Sequence, residues 1–348
     1  MSSRSITSAL LLAAVLTSGV DARGQTLSSA PVARTASAAE AWTPPKTPWG
    51  DPDLQGIYTS DDYIDTPLER PARFGDRLYF TEEELAEAAA KLAKQTEGIL
   101  RGTIRQGPLG GDREFLVNGE RPRRPARQTS LIVDPPNGRM PPLTPEGRKR
   151  QSHMKLSTRN WQTPAASWLD FDFYIRCISR GLAGSMLPSS YDNGTQIVQA
   201  PGFVTILNEK IHEARVIPLD QRPDVGASIR GYLGDSRGHW EGNTLVVEST
   251  NFLDDTTSIG RNGSNAVATS DALRLVERFT RVDPDTIQYE LTVDDPKIFT
   301  APWTIAFQTR QERGYELFEY TCHESNYSMA NMLSGARAQE KAEATRQK

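Results

Sequence analysis

The chain has 348 residues, 37% hydrophobic, 8% aromatic and 24% charged, which is enough apolar material for a real core and unlike a disordered or collagen-like polymer. Forty basic against 44 acidic residues leave a net charge of -4. With no block of like charge, that balance argues against nucleic acid or an anionic membrane surface as the main partner.

Residues 1–22 carry Arg4, an apolar run from Ile6 to Leu16, and Val20-Asp21-Ala22, the layout of a secretory signal with small residues at the cleavage point. The run of about 11 residues is short of the roughly 20 that cross a bilayer. The expectation is a periplasmic or secreted protein with no membrane span. No Cys stands at the cleavage point to take a lipid anchor. Residues 23–41 are Ser-, Ala- and Thr-rich and read as a disordered linker without a core-forming pattern.

Residues 42–170 read as a Pro/Gly-rich arm with one helix. The arm opens on WTPPKTPWGDPD, expected to pack down through Trp42 and Trp49. The helix starts at Thr81-Glu82-Glu83-Glu84, a capping box, and runs to about Gln95 with acids in its first turn and Lys91 and Lys94 late, as the helix dipole prefers. Residues 98–127 are Gly- and Arg-rich, and DPPNGRMPPLTP (134–145) holds five prolines. Long irregular connections of this kind often shape the mouth of a site.

Residues 171–329 read as an antiparallel β domain. From Thr195 onward, short β-branched and aromatic runs alternate with turn dipeptides. Hairpins are predicted for residues 195–199 with 203–207, for a turn at Glu241-Gly242-Asn243 into 245–250, for 273–281 with 287–293, and for 303–309 with 315–321. The fold class is therefore mainly β: an antiparallel meander closing into a lipocalin-like barrel, or an open sandwich. Residues 330–348 read as a C-terminal helix.

Only two cysteines are present, Cys177 and Cys322. An even count in an exported chain predicts one disulfide, whose loop of roughly 145 residues is worth at most about 5 kcal/mol in the chain-entropy model.

TPWGDPDLQG (47–56), SLIVDPPNGRMPPLTPEG (130–147), KIHEARVIPLD (210–220), GDSRGHWEGNTLVVESTNF (234–252) and YTCHESNY (320–327) together resemble a family of exported bacterial proteins with no agreed reaction. The resemblance runs through most of the mature chain. Two positions depart from the family pattern: Ile175 stands where an acid is expected before Arg-Cys, and Asn243 where Asp is expected in the turn.

Four histidines are present: His153, His212, His239 and His323. Alternation on a strand over 211–217 turns His212 toward the interior, with Arg215 opposite and free to pair with Glu213 outside. Asp235 and Arg237 sit at a turn, and His323 and Glu324 follow Cys322, a covalent anchor able to preorganise them. His212, Asp235, Arg237, His323 and Glu324 are the candidate catalytic set. An imidazole serves as base, a carboxylate orients it, and Arg237 offsets developing charge. The alternative makes these residues structural latches. Glu277 reads either as a buried acid of raised pKa or as a strand-end partner of an arginine.

A divalent-metal reading gathers His212, His239, His323 and Glu324, although no short ligand spacing such as H-E-x-x-H occurs. Walker, G-x-G-x-x-G and G-x-S-x-G signatures are absent. The leading expectation is a cofactor-independent enzyme doing hydrolysis, elimination or isomerisation on a small, partly apolar molecule inside a hollow barrel. The alternatives are a non-catalytic carrier of such a molecule, a metal-dependent hydrolase or lyase, and an envelope interaction protein using the Pro-rich arm. Oligomeric state is not legible.

Overall fold

A computed structural model describes residues 42–101, 123–152, 164–189, 191–220, 222, 225–254, 259, 267–312, 314–324 and 326–346. The expected signal and linker (1–41), His153 and most of the Gly/Arg-rich stretch lie outside the described residues.

Ten strands form one antiparallel sheet: β1 (Gly56–Thr59), β2 (Ile132–Asp134), β3 (Gly194–Ala200), β4 (Phe203–Asn208), β5 (Ala214–Pro218), β6 (Asp235–Glu241), β7 (Thr244–Thr250), β8 (Arg274–Asp283), β9 (Thr286–Asp294) and β10 (Trp303–Gln311). Nine of them run in the order β5-β4-β3-β1-β10-β9-β8-β7-β6, with β2 pairing β10. The curled sheet is a nearly closed barrel. It is two meanders rather than one, because β1, from the segment expected to be an irregular arm, inserts between β3 and β10. That insertion explains why residues 315–321 are not the expected strand. The edge of β10 is occupied by Tyr58 and Thr59 opposite Gln311 and Arg310, and the backbone N–H of Phe318 goes instead to the Glu209 carboxylate.

The seam between β5 and β6 rests on Gly238. A Cβ at that position would lie 2.8 Å from Leu219 Cδ2 and 2.9 Å from Ile217 Cγ2, so the missing side chain lets β5 close onto β6.

Alternation fixes which side chains enter the barrel. Leu245, Phe279, Tyr289 and Phe307 stand in register across β7 to β10, and Val247, Glu277, Leu291 and Ile305 form the next row. All are buried. The rings of Phe279, Tyr289 and Phe307 pack tilted against one another at 5.0 and 5.1 Å between centroids. Between them Arg215 of β5 reaches Glu277 of β8 through two hydrogen bonds. At this level the interior is filled, and the expected hollow is not found: the inward positions carry large aromatic side chains and an ion pair spans the lumen. Arg215 does not pair with Glu213 outside, and Glu277 is mid-core rather than at a strand end.

Four helices are described: α1 (Glu82–Leu100), α2 (Pro145–Ser152), α3 (Leu182–Met186) and α4 (Ser328–Arg346). The capping box of α1 is present, with Thr81 N–H donating to Glu84 Oε2 at 2.8 Å and Glu84 N–H to Thr81 Oγ1 at 3.2 Å. The helix continues through Gly98, past its expected end near Gln95. Ile175 is buried with Ala165 and Phe171 against Met329, Met332 and Leu333 of α4. Apolar packing against this side chain helps hold the C-terminal helix in place. Trp42 and Trp49 remain 37% exposed, so the arm does not bury them as expected.

Candidate functional site

Where β3 begins and β4 ends, one mouth of the barrel collects a dense group of polar side chains. The segment 171–193 with α3, the turn after β4 and the stretch 315–322 all converge there. Cys177 and Cys322 form the expected disulfide, Cα to Cα 5.7 Å, and so tie the first of these segments to the last. Tyr174, three residues from one cysteine, and Tyr320, two from the other, meet hydroxyl to hydroxyl at 2.8 Å. The Tyr191 hydroxyl also bonds to that of Tyr174. The Arg180 guanidinium lies 4.6 Å from the centroid of the Tyr174 ring, a cation–π contact.

Beneath the tyrosines lie buried charges. The Lys210 ammonium, 1% exposed, donates to Asn193 Oδ1 at 2.8 Å and to the Leu187 carbonyl at 3.2 Å. Asn193 in turn donates from Nδ2 to Asp61 Oδ1 at 2.7 Å. The Glu209 carboxylate, also buried, accepts from Tyr315 Oη at 2.6 Å, Phe318 N at 3.0 Å and Gly194 N at 3.1 Å. Gly194 leaves room for this carboxylate, since a Cβ would stand 2.7 Å from Glu209 Oε2 and 2.6 Å from Leu317 Cδ2 and one of them would have to shift. Glu213 accepts from Ser179 and, at 2.8 Å, from Ser185. Lys210, Asn193, Glu209 and Glu213 thus have partners, as low-dielectric surroundings demand.

Burial raises the Asp61 carboxyl in this group, and Asp192 is raised as well. It is partly exposed, and burial first, then the charge of Glu209, pushes its carboxyl up to about 6. Burial raises Tyr315, with its hydrogen bond to Glu209 next. Tyr174 and Tyr320 are raised by burial first and the neighbouring Tyr191 second. Tyr174, Tyr315 and Tyr320 therefore remain protonated donors at neutral pH, while Asp192 exchanges its proton there.

The backbone is strained at the same place. Of four non-glycine residues with left-handed φ among the described residues, three border this cluster: Cys177 (55°), Asp192 (48°) and Ile211 (56°). A β-branched residue such as Ile211 rarely adopts that conformation, and strain of this kind concentrates where function requires a fixed geometry.

Of the residues chosen from sequence, Asp235 and Arg237 lie elsewhere. Register places Ser236, Gly238 and Trp240 on the inner face of β6, opposite Ser249, Val247 and Leu245, so Asp235, Arg237 and His239 are on the outer face. Asp235 and Arg237 form a 2.6 Å ion pair, and Asp235 Oδ2 accepts from Val225 N at 3.2 Å, which latches the preceding loop to the strand. His239 is exposed and lies 3.3 Å from Glu241. His323 and Glu324 are exposed in the turn after Cys322. Among the described residues no hydrogen bond or ion pair joins them to Asp235 or Arg237. Nor do His, Cys, Asp and Glu side chains gather there in threes with metal-ligand geometry.

His212 is not on a strand. It ends a 3-10 turn, Lys210–His212, and β5 begins only at Ala214. The left-handed Ile211 breaks the alternation that the strand reading assumed, so Arg215 and Ile217 point inward and Ala214 and Val216 outward. The His212 side chain lies outside the described residues.

Asp192, Lys210, Glu209 and the tyrosines escaped the sequence reading. Asp192-Asn193-Gly194 looks like a turn, and Glu209-Lys210 looks like a solvated strand end. One signal was present: a disulfide between Cys177 and Cys322 necessarily brings Tyr174 and Tyr320 close together. Comparison of the chain with protein-family models, with curated proteins and with solved structures found no match.

Proposed function

We propose that the chain is an exported, cofactor-independent enzyme that moves a proton on a small, partly apolar molecule bound at this mouth of the barrel, in a hydrolysis, elimination or isomerisation. The observation that carries the reading is the coincidence of three strained residues with a partly exposed carboxylate, Asp192, set among buried Lys210, buried Glu209 and three hydrogen-bonded tyrosines. Above pH of about 6 Asp192 is ionised and serves as the general base. The hydroxyls of Tyr174 and Tyr320 donate to the substrate oxygen on which charge develops, and Lys210 and Arg180 supply fixed positive charge near it. Periplasmic or secreted location belongs to the same reading. It draws support from the signal-like residues 1–22 and the disulfide, and no described helix is long and apolar enough to cross a membrane.

The test is a proton-release and proton-uptake screen of small esters, lactones and hydroxy acids in weakly buffered solution, comparing wild type with Asp192→Asn. Asparagine keeps the shape and tolerates the left-handed backbone. Turnover that Asp192→Asn abolishes supports the reading; turnover that survives the substitution rejects it.

A further inference from the structure

A second site lies on the other side of the short 3-10 turn Asp61–Tyr63, where an open cavity of about 1140 Å³ separates α1 from residues 65–80 and 123–129. Its floor is apolar and aromatic. Phe74 and Phe80 meet edge to face at 5.4 Å, flanked by Pro67, Pro71 and Pro125.

Six cations and four carboxylates line the cavity, and the carboxylates are nearly all engaged. Asp62 Oδ1 is 3.2 Å from Arg310, Asp65 is 3.2 Å from Arg123, and Glu84 is held by Arg77 through bonds of 2.5 and 2.8 Å. Glu87 shares the lining with Lys91, Lys94 and Arg124, whose side chains have no ion-pair partner among the described residues, and the charge of Arg73 acts on Glu84. Arg73 lies 4.7 Å over the Phe74 ring, which sets a guanidinium beside the apolar floor.

We infer that this cavity binds an amphipathic anion, a molecule with a flat or elongated apolar body and one acidic head. The apolar body lies against Phe80 and the prolines, with Phe74 buried behind them, and the head meets the unpaired cations of α1 and Arg124 at the rim. A purely apolar ligand would leave those cations without counter-charge, and a small inorganic anion would leave the aromatic floor wet. The site shares no residue with the mouth where Asp192 stands.

Two fluorescent dyes with related ring systems test this: 1-anilinonaphthalene-8-sulfonate, which carries an acidic head, and N-phenyl-1-naphthylamine, which lacks it. The full chain should bind the sulfonate dye one to one and the neutral dye at least about tenfold more weakly. The sulfonate affinity should fall with added salt. Lys91→Glu with Lys94→Glu, both exposed on α1, should weaken the sulfonate dye at least about tenfold and leave the neutral dye unchanged. Phe74→Ala should weaken both. Equal affinity for the two dyes, or sulfonate binding that the double substitution leaves intact, overturns the inference.

Discussion

Arg215 of β5 and Glu277 of β8 meet inside the barrel in a two-pronged ion pair, with Nη1 to Oε2 at 2.5 Å and Nη2 to Oε1 at 2.7 Å. The Tyr289 hydroxyl completes the arrangement by donating to Glu277 Oε1 at 2.9 Å. Burial, with the Glu277 charge second, pushes that hydroxyl well above its ordinary pKa, so it stays a donor. The pair replaces what would otherwise be an apolar row, since Val247, Leu291 and Ile305 occupy the flanking positions. Charges desolvated in this way favour one register of β5 relative to β8 more than they add net stability. Glu277→Gln should therefore cost about 3–5 kcal/mol by stranding the guanidinium. The double variant Arg215→Met with Glu277→Leu should recover most of that loss. Urea unfolding of the three variants checks both statements.

The β5–β6 seam gives a second prediction. Gly238→Ala places a methyl group against Leu219 and Ile217 at less than 3 Å, and overpacking of this kind costs about 1–3 kcal/mol. The loss should concentrate at the seam. Amide hydrogen exchange should quicken in β5 and β6 and stay unchanged in β8 and β9; uniform change across the sheet would contradict the role given to this glycine.

Much of the barrel was legible because its strands alternate without interruption. Ile287, Tyr289, Leu291 and Val293 announce one buried face and one wet face, and the structure places all four inside. The disulfide followed from a count of two. What was not legible depended on long-range geometry. Four residues, Gly56–Thr59, carry too little pattern to show that β1 joins the two meanders. A single left-handed residue, Ile211, undid the periodicity argument for His212, and φ is not readable from an isoleucine. The histidines are conspicuous because their chemistry is familiar, whereas the cluster at the mouth is assembled from residues 61, 174, 192, 209, 210, 213 and 315–320, which nothing local connects.

The disulfide couples stability to the site. Cys177→Ala with Cys322→Ala should lower stability by about 2–4 kcal/mol. Because the bond ties the segments bearing Tyr174 and Tyr320, it should also disturb their hydroxyl contact before the sheet is affected. Tyrosine ultraviolet absorbance and near-ultraviolet circular dichroism should change on reduction while the far-ultraviolet β signal persists. An unchanged melting temperature in reductant would refute the structural role of the bond.

His323→Ala and Glu324→Gln probe the residues first singled out by their chemistry. Both side chains are exposed, and neither substitution should alter stability by more than about 0.5 kcal/mol. Under the present account both variants keep full turnover on any substrate that Asp192→Asn fails to convert. Loss of turnover in His323→Ala would move the reaction to the turn after Cys322.

Asp192 also leaves a signature in stability. An acid whose pKa is higher folded than unfolded loses stability as pH rises from its ordinary value of 3.8 to about 6, because the folded state binds the proton more tightly. Asp192→Asn is neutral throughout. Its melting temperature should match wild type near pH 4 and exceed it increasingly up to pH 7, a stabilisation gained by removing a group held for function. A variant less stable than wild type at pH 7 would mark Asp192 as structural.

The most direct test is an NMR titration of the Asp192 carboxyl carbon, assigned by its loss in Asp192→Asn. The account predicts a midpoint of about 6, the value a proton-transfer group needs at neutral pH. A midpoint near 4, the ordinary range for aspartate, would contradict it.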